Sequence, residues 1–113
     1  CEDEGLPLLP GAVTASEVMG LLEKGYDVQK FFPAEAVGGA AALKALGAPI
    51  PQVRFCPTGG ISMTNVAAYL SLKTVLCVGG SWVAPADAVA NADWARIETL
   101  ARQAAALPRA AQS

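Results

Sequence analysis

Short apolar runs alternate along the chain with longer stretches in which apolar residues recur three and four apart, and the alternation repeats four times. Leu6-Pro7-Leu8-Leu9-Pro10-Gly11 predicts a strand ending in a turn. Thr14 and Glu17 then form a capping box, opening a helix that runs to Lys24 and stops at Gly25, with Val18, Leu21 and Leu22 as its buried stripe. Asp27 to Glu35 carries the β-branched and aromatic residues of a second, buried strand, with Lys30 in its middle. Gly38-Gly39 leads into a short alanine-rich helix over Ala40 to Leu46, closed by Gly47 and by Pro49 and Pro51, which cannot continue it. Gln52 to Thr58 predicts a third strand ending in Gly59-Gly60, with Ser62 or Thr64 as N-cap of a helix from Asn65 to about Leu72 that turns Val66, Tyr69 and Leu70 inward. The fourth strand, Thr74 to Val78, ends in Gly79-Gly80-Ser81. A last helix in two pieces covers Pro85 to about Leu107 with Asp93 capping its main part, and Pro108 and the tail to Ser113 are expected to fray.

Strands separated by helices demand a parallel sheet with right-handed crossovers, so the pattern reads as an α/β fold of four β/α units. None of the four strands shows clear polar alternation, as expected of strands covered on both faces. Two architectures fit: a small open doubly wound sheet, or part of a (β/α)8 barrel. Four barrel strands leave two open edges and an unfilled interior, so this length reads as a half-barrel in need of its other half.

Composition narrows the partners. The chain has 113 residues, 53% of them hydrophobic and 16% charged, which describes a packed globular piece. A net charge of −2 and the lack of a basic stripe argue against nucleic acid and against a membrane surface. The longest apolar runs are strand-sized, well below the ~20 residues of a spanning helix. The acidic start, Cys1-Glu2-Asp3-Glu4, is unlike a targeting segment, and without an initiator methionine it suggests processing or upstream chain. Cys1, Cys56 and Cys77 are odd in number and widely spaced. Cys56 and Cys77 are expected as buried, reduced thiols, and with no histidine there is no zinc site to complete.

In either architecture ligands bind at the C-terminal ends of the strands, here Pro10-Gly11, Pro33-Ala34-Glu35, Thr58-Gly59-Gly60 and Gly79-Gly80-Ser81. A glycine pair lets backbone amides approach an anion, and two such pairs in consecutive units suggest phosphate, though each also serves as a plain strand-to-helix turn. Ser81 adds a hydroxyl donor or simply caps the next turn. Lys30 shares a face with Val28 and Phe32. A lysine there either snorkels to solvent or, desolvated, presents a free amine to a carbonyl carbon. Thr58 either binds a carboxylate or keto oxygen or merely finishes a strand. Glu35 is a proton relay or a solvated loop carboxylate. Arg54 falls on the Thr58 face and, if it points into a barrel floor, needs a buried partner. Lys24, Lys44 and Lys73 read as solvated.

Lys30-Phe31-Phe32-Pro33-Ala34-Glu35, Arg54-Phe55-Cys56-Pro57-Thr58-Gly59-Gly60 and Gly79-Gly80-Ser81-Trp82, in that order and spacing, resemble the C-terminal half of bacterial 2-keto-3-deoxy-6-phosphogluconate (KDPG) aldolases, which also act as 4-hydroxy-2-oxoglutarate (KHG) aldolases. The likeness runs from Leu6 to about Ala105 and favours the barrel. It implies a class I, metal-independent, cytoplasmic lyase on a (β/α)8 barrel, homotrimeric and without cofactor, cleaving the phosphorylated keto acid to pyruvate and glyceraldehyde 3-phosphate. It further implies that Lys30 is the Schiff-base residue, that Thr58, Gly59 and Gly60 hold pyruvate and phosphate, and that Gly79, Gly80 and Ser81 complete the phosphate cradle; Pro33 and Glu35 belong to the lysine block. The family's catalytic glutamate and carboxylate-clamping arginine come from the first half of the barrel, for which residues 1–113 have no counterpart. The chain thus reads as strands five to eight with their helices, nearly inactive alone. Two alternatives stay open: a non-catalytic phosphosugar-binding half-barrel, and an aldolase of the epimeric 2-keto-3-deoxy-6-phosphogalactonate.

Overall fold

The structure, a computed structural model, describes residues 1–110. Its elements are α1 (Ala15–Glu23), β1 (Val28–Phe31), α2 (Gly39–Gly47), β2 (Arg54–Pro57), α3 (Val66–Leu70), α4 (Ala86–Ala90) and α5 (Trp94–Ala105). The capping box forms as the sequence predicts: Thr14 Oγ1 accepts from the Glu17 amide at 3.3 Å, and Glu17 Oε1 accepts from the Thr14 amide at 3.2 Å. Gly25, at φ 93°, ends that turn in the left-handed region. The two-piece last helix also forms, with the Asp93 carboxylate accepting from the Arg96 amide. The third helix begins later than expected, and neither Ser62 nor Thr64 caps it. Asn65 is the N-cap, and its Oδ1 turns back to accept from the Ser62 amide at 2.9 Å.

β1 and β2 pair in parallel, with Lys30 opposite Cys56 and Phe31 opposite Pro57. The first and fourth expected strands flank them as parallel bridges, Gly11 to Lys30 on one side and Phe55 to Val75 and Thr58 to Gly79 on the other. Both fall short of full strands because of proline. Pro7 and Pro10 have no N–H to give a ladder. On the other side Leu76 donates to Phe55 O at 2.9 Å, but Pro57 cannot return the bond to Leu76 O. The run then bulges, with one more residue between Val75 and Gly79 than between Phe55 and Thr58. Arg109 Nη1 donates instead to the Leu76 carbonyl at 3.3 Å. The tail is therefore tied down rather than frayed as far as Ala110, whose amide donates to Leu70 O at 2.9 Å; Ala111 to Ser113 lie outside the described residues.

One face of the sheet makes the core. Phe31, Val53, Phe55 and Val75 are fully buried with Val18 of α1, Leu43 of α2 and Val66 and Tyr69 of α3, and the Phe31 and Phe55 rings meet edge-on at 6.4 Å. Gln29 enters this core, its Nε2 donating to Val18 O and Tyr26 O and so tying α1 to β1. The opposite face is covered far less. Val28 and Lys30 are half-buried and Arg54 and Phe32 exposed, so the expectation of strands covered on both faces fails for this face. Cys77, expected to be buried, is exposed, because it follows the bulge on the sheet's outer strand. Cys56 is buried, as expected.

Candidate functional site

Lys30 sits in the middle of the sheet. Its amide donates to Pro10 O at 2.8 Å, its carbonyl accepts from the Ala12 amide at 3.0 Å, and β2 holds its other side. Backbone pairing on both sides fixes the direction of the side chain, which leaves the sheet on the sparsely covered face. Its Nζ lies 5.6 Å from the centre of the Phe32 ring. Among the described residues no carboxylate stands within ion-pair distance of that amine.

Beyond Lys30 the chain passes through a cis Phe32–Pro33 peptide into a loop, exposed except for the buried Ala34, that stays laced to the neighbouring strand end. The Thr58 amide donates to Phe31 O at 2.9 Å, the Ala34 amide to Thr58 O at 2.8 Å, and the Glu35 amide to Gly59 O at 3.1 Å. This close lacing explains both glycines of the first pair. A Cβ on Gly59 would lie 3.1 Å from Pro33 Cα, and one on Gly60 would lie 2.8 Å from Glu35 Cβ. Both glycines also have positive φ, 105° and 74°.

Thr58 stands two residues beyond the partner of Lys30 and so on the same face, roughly 7 Å further along the sheet. Its hydroxyl makes two long contacts, both with Cys56: it donates to the carbonyl oxygen at 3.5 Å and lies 3.9 Å from Sγ. Gly79 pairs beside it so closely that a Cβ there would approach Thr58 Oγ1 to 2.6 Å, which brings the two glycine turns side by side. The amide of Gly79 is spent on Pro57 O, at 2.9 Å. The amides of Gly59, Gly60, Gly80 and Ser81 find no acceptor among the described residues. Gly80 lies against the Trp82 ring, and Ser81 is exposed, its carbonyl accepting from the Ala84 amide. Next to this second turn is a cavity of about 430 Å³ lined in part by Cys77, Gly80, Trp82 and Arg109. Although Cys77 is exposed as a residue, partial desolvation of its sulfur and then a hydrogen bond with Cys56 push the thiol pKa up.

Glu35 is neither bare nor simply solvated. Its carboxylate accepts from the Tyr69 hydroxyl and, at 3.0 Å, from Asn65 Nδ2. Burial and then this hydrogen bond raise the Tyr69 pKa, keeping the phenol a donor. Tyr69 is visible in the sequence only as an inward helical position. The signal for its polar role is that a buried tyrosine hydroxyl needs an acceptor, which the sequence does not identify.

The arrangement collects an amine, a hydroxyl and two groups of unpaired amides at the C-terminal ends of adjacent parallel strands, suited to a carbonyl-bearing anion. Comparison with known proteins gives the family. The family model for KDPG and KHG aldolase matches residues 1–100. The 2-dehydro-3-deoxy-phosphogluconate aldolase of Pseudoalteromonas atlantica is 57% identical over 102 residues, covering 90% of this chain and 47% of that protein. The KHG/KDPG aldolase of Escherichia coli K12 is 57% identical over 99 residues, 88% of this chain and 46% of its own length. Among solved structures, the 2-keto-3-deoxy-6-phosphogluconate aldolase of Zymomonas mobilis superposes with a TM-score of 0.89 at 48% identity, over 96% of this chain and 52% of that one. The KDPG aldolase of Legionella pneumophila, solved with pyruvate captured as a covalent carbinolamine, gives 0.85 at 48% identity, over 88% and 48%. The chain thus spans about half the length of the relatives it matches. With residues 1–100 matched by the family model, the chain belongs to the KDPG and KHG aldolase family.

Proposed function

We propose that this chain is the C-terminal half of a (β/α)8 barrel and supplies the nucleophile of a class I aldolase. Such an enzyme cleaves 2-keto-3-deoxy-6-phosphogluconate to pyruvate and glyceraldehyde 3-phosphate, and 4-hydroxy-2-oxoglutarate to pyruvate and glyoxylate. The observation that carries this reading is the register that sets Lys30 opposite Cys56, two residues short of Thr58, with Gly79 beside Thr58. The half-barrel is supported by a sheet with helices packed on one face and few covering side chains on the other.

In the reaction the Lys30 amine adds to the C2 ketone, and the carbinolamine loses water to an iminium ion. The cation draws the electrons of the C3–C4 bond as a base removes the C4 hydroxyl proton, and the aldehyde leaves. Protonation of the enamine at C3 and addition of water at C2 return pyruvate and the free amine. Thr58 offers its weakly engaged hydroxyl to the pyruvyl end, while the amides of Gly59, Gly60, Gly80 and Ser81 face the phosphate. The base is assigned to the part of the relatives' length that this chain does not span, since Glu35 is committed to Tyr69 and Asn65.

Replacing Lys30 by Met in the full-length protein keeps the size and apolar stem of the side chain and removes the amine. Cleavage should fall by at least about a thousandfold, as expected when a nucleophile is lost. Cleavage equal to the parent's would refute the assignment. Rates on the gluconate-derived and galactonate-derived phosphosugar acids, measured side by side, identify the preferred epimer.

A further inference from the structure

Three consecutive peptide planes at the Thr58-Gly59-Gly60-Ile61 turn are held by their carbonyls. Thr58 O accepts from the Ala34 amide, Gly59 O from the Glu35 amide at 3.1 Å, and Gly60 O from Asn65 Nδ2 at 2.9 Å. In a trans peptide the N–H points opposite to the C=O. The first two bonds therefore turn the Gly59 and Gly60 amides away from the Pro33–Glu35 loop, the third turns the Ile61 amide away from Asn65, and none of the three amides donates to an acceptor among the described residues.

Glu35 stands at the centre of this device. Its backbone holds the Gly59 carbonyl and its carboxylate holds Asn65 Nδ2, which in turn reaches Gly60 O. The other carboxylate oxygen is anchored by the hydroxyl of Tyr69, a residue only 1% exposed and fixed in the core by α3. Gly39 makes room for that oxygen, since a Cβ there would lie 2.7 Å from Glu35 Oε2.

We propose that Glu35, with Asn65 and Tyr69, is a positioning residue that aims the Gly59, Gly60 and Ile61 amides at the substrate phosphate, setting preference for phosphorylated over unphosphorylated keto acids. The inference rests on the aldolase reading for its substrate but takes no part in the chemistry at Lys30.

Glu35→Gln removes a negative charge near the phosphate site, which by charge alone should tighten anion binding. It also puts an amide donor where Tyr69 or Asn65 already donates, which loosens the turn. In the full-length protein, Glu35→Gln should raise KM for 2-keto-3-deoxy-6-phosphogluconate about tenfold, as expected for loss of a hydrogen bond to a charged group, and weaken binding of inorganic phosphate to match. kcat and KM for 4-hydroxy-2-oxoglutarate, and borohydride trapping of pyruvate on Lys30, should stay at parental values. Tyr69→Phe keeps the buried ring and should shift the same KM in the same direction by less, so the proposal stays testable if the first variant folds poorly. An unchanged KM for the phosphorylated substrate overturns the proposal, and so do equal losses on both substrates, which mean proton transfer or general support of the fold. Failure of the parent to trap pyruvate would sink the aldolase reading instead, and calorimetry with inorganic phosphate on the parent and Glu35→Gln would still decide the role of Glu35.

Discussion

At the scale of single residues the site depends on close approach as much as on chemistry. The glycines that suggest an anion cradle are each demanded by a neighbour: Gly59 and Gly60 by the Pro33–Glu35 loop, Gly79 by Thr58, Gly80 by Trp82. What points beyond packing is the set of amides left without acceptors. Gly60→Ala puts a methyl against Glu35 and holds alanine at a φ near 74°. It should destabilise the fold by at least about 1–2 kcal/mol from backbone strain alone. Chemical denaturation checks this; an alanine tolerated within about 0.5 kcal/mol, the range of neutral surface changes, would show that the loop is not held as described.

Among elements, α1 carries the most complete local code. Thr14 and Glu17 satisfy each other's backbone, and Glu17 also accepts from the Val13 amide at 3.2 Å. The Val13 bond, then the Thr14 hydroxyl, hold the Glu17 carboxyl below its ordinary pKa of 4.5. A depressed carboxylate adds stability that is present above the unfolded pKa and is lost as pH falls through the folded one. Thermal melts of the parent and Glu17→Gln should therefore differ at neutral pH and converge on acidification below 4.5. A gap that persists in acid would mean that the ionised capping box does not contribute. The other elements are shaped by proline. Pro7 and Pro10 reduce the first strand to a bridge, and Pro57 breaks the ladder to the last strand, leaving a carbonyl that Arg109 takes up.

Across the whole molecule, the repeat of apolar runs and amphipathic stretches made legible the alternation of parallel extended runs with helices, although only the second and third runs form full strands, and it made legible the inward set Val66, Tyr69 and Leu70 and the two-piece last helix. These rest on local periodicity and capping, which a sequence carries openly. Less legible was anything that depends on a partner far along the chain. The Glu35–Asn65–Tyr69 cluster, the burial of Gln29, the exposure of Cys77 and the docking of Arg109 each join residues whose meeting only the fold decides. Lys30 lies between: periodicity assigns its face, and its place opposite Cys56 depends on the register.

The central claim is that the Lys30 amine forms a Schiff base with a 2-keto acid. Incubating the full-length protein with pyruvate, reducing with borohydride and mapping the adduct by peptide mass spectrometry tests it directly. The expected result is one pyruvate-derived adduct, on the peptide that contains Lys30 and absent from Lys30→Met. No adduct on the parent, or an adduct on Lys24, Lys44 or Lys73 instead, would contradict it.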